Sequence, residues 1–209
     1  MTATLVFGGT FDPVHNGHLS SARDLLALIE GARVVLIPCQ IPAHRPVPAT
    51  PAADRYAMLQ LATEGLEAIA TDDCELRREG VSYSFDTLSE YRARIGDAPL
   101  FFVMGRDAWL TLPTWHRWRE LCDVAHLLVI ERPGVAAEAG SELSTWARHK
   151  TSDLAMALRS PAGCIVFETL AQHDVSATQI RDRRMRGDSI ADLVPAAVDR
   201  YISARHLYL

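Results

Sequence analysis

Five short runs in this chain are apolar at every position: residues 5–7, 34–37, 101–104, 127–130 and 165–167. They are rich in β-branched and aromatic side chains, the pattern of strands buried on both faces. Between them, helical spacing of apolar positions predicts helices over 17–30, 51–66, 84–95, 105–121, 141–150 and 176–186, with a last one over 195–207. Alternating strands and helices predict an α/β fold, a doubly wound and mostly parallel sheet with helices on both faces and a C-terminal helical segment. In such sheets ligands sit beyond the C-terminal strand ends, where the strand order reverses.

Two stretches break the periodicity. Residues 38–51 carry five prolines, at 38, 42, 46, 48 and 51, around His44 and Arg45. They predict a stiff polar loop over the binding edge. Residues 8–18, GGTFDPVHNGH, follow the first strand and lead into the first helix. A helix N-terminus offers unpaired N–H groups and partial positive charge, and two glycines let backbone approach a ligand closely. The junction therefore reads as a phosphate site. The common lysine-based loop is excluded, because the single lysine, Lys150, lies far from any glycine turn.

With 209 residues, 48% of them hydrophobic, the chain has enough apolar material for one domain over 1–209, with residues from about 176 as a C-terminal helical subregion. A net charge of −5 argues against a general nucleic-acid or membrane-surface binder, but not against a small anion in a local basic pocket. Cys39, Cys74, Cys122 and Cys164 are widely spaced and read as free, mostly buried thiols of a reducing compartment. The first residues read as a strand rather than a secretory leader, and no apolar run has membrane-spanning length. Together these features predict a cytoplasmic protein. The sequence leaves a homo-oligomer open.

His15 and His18 stand at the start of the first helix. They could contact phosphates, cap the helix, or supply two ligands of a metal site that would still need a third. The two histidines could titrate near neutrality. In VSATQIR, residues 175–181, Ser176 and Gln179 form a capping-box pattern that starts another helix. Thr178 and Arg181 then share one face of its first turns. Trp115 and Trp118, three apart, fit either core packing or ring stacking.

Together, GTFDPVHNGH and VSATQIR resemble the two signatures of the nucleotidylyltransferase superfamily. Further stretches make the chain similar, over nearly its whole length, to the bacterial nicotinate-mononucleotide adenylyltransferases. They are IPAHRP at 41–46, SYSFDTL at 82–88, MGRDA at 104–108, LPTWHRW at 112–118, ERPG at 131–134 and the ending from Val194 to Ile202. The resemblance implies a Rossmann-like nucleotidylyltransferase fold and transfer of AMP from ATP to nicotinate mononucleotide, giving deamido-NAD and pyrophosphate in NAD biosynthesis. It implies direct in-line attack without a covalent intermediate, with Mg²⁺ accompanying ATP.

It also implies roles. Gly8, Gly9, Thr10 and Phe11 would line the ATP site through their backbone, and His15 and His18 would hold the phosphates. Ser176, Thr178 and Arg181 would grip the β- and γ-phosphates from the opposite side. His15, His18 and Arg181 would be the catalytic set. Gly105 and Asp107 would meet the nucleotide, the carboxylate suiting ribose hydroxyls. Trp115 would stack on the pyridine ring, Ser84 would bind the nicotinate carboxylate, and His44 and Arg132 would hold the mononucleotide phosphate. Ser84 stands where threonine is expected and Arg106 where glutamine is common, the latter adding positive charge near the pocket. Rival readings are a pantetheine-phosphate adenylyltransferase, a glycerol-phosphate cytidylyltransferase, a silent nucleotide sensor, a metal-binding protein using the two histidines, and a class I aminoacyl-tRNA synthetase fragment.

Overall fold

The computed structural model describes residues 2–43, 46–131 and 142–209. Among the described residues, six parallel strands form one sheet: β1 (Thr4–Gly9), β2 (Arg33–Pro38), β3 (Ile69–Thr71), β4 (Leu100–Gly105), β5 (His126–Glu131) and β6 (Ile165–Thr169). Their order is β3-β2-β1-β4-β5-β6. Leu5 pairs in register with Val34 on one side and Phe101 on the other. The chain winds outward from β1 to β3 and then returns to lay β4 beside β1, so the order reverses between those two strands. This is the doubly wound sheet the periodicity predicts, and its switch point lies at the Gly8–Gly9 end of β1.

Neighbouring strand residues divide between two cores, which is why the strands read as apolar throughout. Leu5, Leu36, Phe101, Val103 and Leu128 face one core with α1 (Asn16–Leu28), α2 (Ala52–Thr63), α8 (Ala177–Met185) and α9 (Ala196–Ala204). Val6, Ile37, Phe102, Met104 and Val129 face the other, with α3 (Ser84–Ile95) and the segment after β4.

All five predicted strands are present. β3 was not anticipated, because three residues at a sheet edge carry no readable pattern. The helix predicted over 105–121 is broken into α4 (Arg106–Thr111), two 3-10 turns (Leu112–Thr114 and Trp118–Glu120) and α5 (Leu121–Val124). Pro113 lies in the first turn, and Arg117, with φ of 54°, takes a left-handed conformation that no helix continues through. The segment predicted over 141–150 is α6 (Glu142–Arg148), followed by a short α7 (Leu154–Ala157). The predicted final helix stops at Ala204, and the tail turns back with φ of 52° at His206 and 61° at Tyr208. The four cysteines are free. Cys74 and Cys122 are buried, whereas Cys39 and Cys164 are only half-buried, fewer than expected. Among the described residues no helix is long and apolar enough to cross a membrane.

Candidate active site

At the end of β1 the chain makes a tight turn into α1. A Cβ at Gly9 would lie 3.1 Å from the Phe11 ring, so glycine is needed there for space rather than for dihedral freedom. Phe11 has φ of 48° and is 2% exposed. Its ring meets the edge of His18 at 4.9 Å between centroids. The Asp12–Pro13 peptide is cis. The Asn16 N–H donates to the Leu193 carbonyl at 2.9 Å, tying the start of α1 to the connection between α8 and α9.

His15 and His18 stack with centroids 3.7 Å apart and an angle of 27°. The backbone N–H of His15 donates to Nδ1 of His18 at 3.2 Å, which leaves the His18 proton on Nε2. Gly17 makes room for this stack: a Cβ there would sit 3.0 Å from His15 Nδ1. Burial lowers the His15 pKa from 6.5 to about 4. His18 is held well below 6.5 by burial and by its neighbour His15. The expectation that these rings titrate near neutrality is thereby corrected: both are neutral N–H donors at neutral pH. His15 Nδ1 is buried without a hydrogen-bond partner among the described residues.

The second helix N-terminus belongs to α8. The Ser176 hydroxyl accepts from the Gln179 N–H at 3.1 Å, as the capping-box spacing predicts. One turn on, Arg181 Nη2 donates to the Thr178 hydroxyl at 3.2 Å, while Nη1 donates to the Asp12 carbonyl at 2.7 Å. Arg181 therefore bridges α8 to the turn after β1. The Tyr208 hydroxyl, from the C-terminal tail, donates to the Asp12 carboxylate at 2.8 Å.

Between these helix ends and the end of β4 lies a cleft of about 590 Å³. His15, His18, Gly105, Asp107 and Ser176 all line it. A Cβ at Gly105 would meet only open space, so this strand end leaves the cleft clear. Gly8, Gly9, Thr10 and Phe11 form the adjoining turn rather than the cleft wall, and Thr178 and Arg181 lie beside it. Arg106 also lines the cleft, but its guanidinium is paired with the Glu131 carboxylate at 2.9 Å. The extra positive charge expected from Arg106 is thus offset by a partner at the end of β5.

The other predicted residues gather on the α3 face. Ser84 is the first residue of α3, and Trp115 follows the first 3-10 turn. Their neighbours bring them together: Tyr83 packs on His116 at 4.4 Å, and the Arg117 guanidinium lies 3.6 Å above the Phe85 ring. Trp115 meets Phe102 edge-on at 6.2 Å, and a Cβ at Gly8 would lie 3.7 Å from that same ring. Trp118 takes the core alternative, being buried and edge-packed on Trp146 at 4.8 Å. The proline-rich loop is tied to this face. Gln40 N–H donates to the Ser82 hydroxyl and Ser82 N–H to the Ile41 carbonyl, both at 2.9 Å. His44 and Arg132 lie outside the described residues.

Sequence reasoning missed Arg55, Glu75 and Tyr208. Arg55 is 1% exposed on α2 and binds three backbone carbonyls. Its signal was a charge on the apolar face shared with Met58, Leu59 and Ala62. Glu75 accepts from the Thr87 hydroxyl at 2.6 Å, behind the first turn of α3, and burial raises its pKa. Burial pushes the Cys74 and Cys122 thiols up to about 12, which favours their neutral form.

Residues 6–183 match the family described as Cytidylyltransferase-like. A protein of Serratia proteamaculans named "Probable nicotinate-nucleotide adenylyltransferase" is 44% identical over 206 residues, covering 97% of this chain and 94% of its own. One of the same name from a Marinomonas species is 40% identical over 205 residues, covering 97% and 93%. Among solved structures, a Plasmodium falciparum nicotinic acid mononucleotide adenylyltransferase complexed with NaAD superimposes with a TM-score of 0.73 at 15% identity. That match spans all of this chain and 98% of the other, and it shows the shared fold.

Proposed function

We propose that this chain, which belongs to the nicotinate-nucleotide adenylyltransferase family within the cytidylyltransferase-like proteins, transfers AMP from ATP to nicotinate mononucleotide with the side chains described above. The observation that carries the assignment of roles is one cleft at the sheet switch point, faced by two stacked neutral imidazoles and by the capped N-terminus of α8.

The mononucleotide phosphate is already an anionic nucleophile. One of its oxygens bonds to the α-phosphorus of ATP, the bond from that phosphorus to the pyrophosphate oxygen breaks, and pyrophosphate leaves. No side chain need accept a proton or form a bond. Catalysis is then alignment together with stabilisation of charge on the leaving group. His18 donates Nε2–H to the triphosphate, His15 supports it from the stack, and the Gly8–Phe11 turn presents backbone to it. Ser176, Thr178 and Arg181 take the β- and γ-phosphates at the rim. Asp107 and Gly105 accept the nucleoside, a carboxylate suiting hydroxyl donors. Ser84 and the free N–H groups of α3's first turn receive the nicotinate carboxylate, with Trp115 against the ring. His44 and Arg132 belong with the mononucleotide phosphate.

Among the described residues no group of three or more His, Cys, Asp or Glu could hold a metal. Mg²⁺ draws readily on phosphate oxygens and water, so the site fits an ion carried on the triphosphate that His15, His18 and Arg181 hold. There it would offset phosphate charge. Free thiols, two of them buried, fit a reducing compartment, and we read the protein as cytoplasmic and the whole chain as one catalytic domain.

The test is pyrophosphate release with ATP and Mg²⁺, using nicotinate and nicotinamide mononucleotides side by side. We expect release with the acid to exceed release with the amide at least tenfold, since the carboxamide NH₂ would face the donors of α3 (about 1.4 kcal/mol for each factor of ten). Equal release would remove Ser84 from acid recognition. Release with neither would leave the fold with another acceptor.

A further inference from the structure

The Arg55 guanidinium is almost fully buried, yet among the described residues it pairs with no carboxylate. Its three arms end on backbone carbonyls: Nη1 on Thr10 at 2.6 Å, Nη2 on Cys39 at 2.7 Å and Nε on Thr50 at 3.3 Å. These carbonyls belong to the turn after β1 and to the two ends of the proline-rich loop. Thr10 is in the turn that leads to His15 and His18. Cys39 directly follows β2, and its neighbour Gln40 is bonded to Ser82, two residues before α3. Thr50 closes the proline-rich loop. The base of Arg55 is itself held, because Asp54 beside it accepts from the Tyr201 hydroxyl at 2.8 Å and from Arg205 Nε at 3.3 Å, both from the C-terminal region.

Placing a guanidinium in a core position is expensive, and an apolar side chain of similar volume would pack α2 at lower desolvation cost. A planar fork with donors in fixed directions does something that side chain cannot: it sets the distance and angle between two backbone carbonyls. Here one carbonyl lies on the phosphate side of the site, and the other leads to the mononucleotide side. We propose that Arg55 is a positioning residue for adenylyl transfer, holding the turn of Thr10 and the strand end at Cys39 in one register so that the attacking phosphate lines up with the α-phosphorus. It touches neither substrate. The proposal rests on the adenylyl-transfer reading above.

The signature of positioning is a loss of turnover without a matching loss of affinity. In Arg55→Met, at a temperature where its melt shows it folded, we expect kcat to fall by about 30-fold or more. The calorimetric Kd for ATP alone and for nicotinate mononucleotide alone should each stay within about threefold of the parent value. Arg55→Lys, which keeps the charge but has a single nitrogen, should recover part of the loss. An unchanged kcat in folded Arg55→Met overturns the proposal, as does a loss of kcat matched by loss of both affinities. If Arg55→Met does not fold, Arg55→Lys decides: reduced kcat with kept affinities supports the register, and wild-type kcat overturns it. Amide hydrogen exchange at residues 8–12 and 38–42 gives a readout independent of turnover. The two segments should both exchange faster in Arg55→Lys, and unchanged protection in both overturns the link. If the parent protein itself releases no pyrophosphate, the adenylyl-transfer reading has failed, and exchange still judges the link.

Discussion

Two helix N-termini face the same cleft, and they are built on opposite principles. At α1 the polar groups are imidazoles, stacked at 3.7 Å, backed by the buried Phe11 ring and kept neutral by burial. At α8 they are two exposed hydroxyls and a half-buried guanidinium. The deep end therefore offers fixed dipoles and the rim offers net charge. A cation in the deep position would cost several kcal/mol of desolvation before any ligand arrived. Neutral N–H donors avoid that cost and still stabilise charge that develops on a phosphate. On the adenylyl-transfer reading proposed above, the deep end would serve orientation and the rim capture of the polyanion.

The largest effect is expected from deleting the deep donor. His18→Ala should lower kcat by about 100- to 1,000-fold, the scale of losing one preorganised donor. Mononucleotide affinity should stay within about threefold. A variant that keeps its turnover but loses mononucleotide binding would move His18 out of the phosphate role. Arg181→Lys comes next. It keeps the charge but loses the fork that spans Thr178 and Asp12, and we expect kcat/KM for ATP to fall by about 10-fold, mostly through KM. If kcat falls as far as in His18→Ala while KM for ATP stays put, the rim is doing the work assigned to the deep end.

Much of this contrast was legible in the sequence. The two-sided burial of the strands gave continuous apolar runs, and Ser176 with Gln179 marked the start of α8 by spacing alone. The glycine turn and paired histidines located the deep end. What was not legible depends on contacts between residues distant in the chain. Neutralisation of Arg106 needs Glu131, 25 positions away. The depressed pKa of His15 comes from its burial, which periodicity does not report. The break in 105–121 was half visible, in Pro113, but the left-handed turn at Arg117 left no mark of its own. Arg55 did leave a mark, a charge in an apolar stripe, whose meaning appears only when the carbonyls of Thr10, Cys39 and Thr50 converge on it.

The smallest expected effect is also the most direct test of neutrality at the deep end. His15 is neutral in the protein down to about pH 4, whereas its unperturbed value is 6.5. Between those values the unfolded chain binds a proton that the folded protein does not, so this group makes the fold lose stability as pH falls from 6.5 toward 4. A triphosphate beside the ring favours the charged form and raises the pKa. Binding of ATP near pH 5.5 should therefore be coupled to proton uptake, read by calorimetry in buffers of different ionisation enthalpy. The nucleotide titrates as well, so the informative quantity is the difference between the parent and His15→Gln. We expect the parent to take up more, by a fraction of a proton. The same variant should show a shallower loss of thermal stability between pH 6.5 and 4. Equal uptake in the two proteins would mean that the bound phosphates do not reach His15, and the stack would then serve only to aim His18.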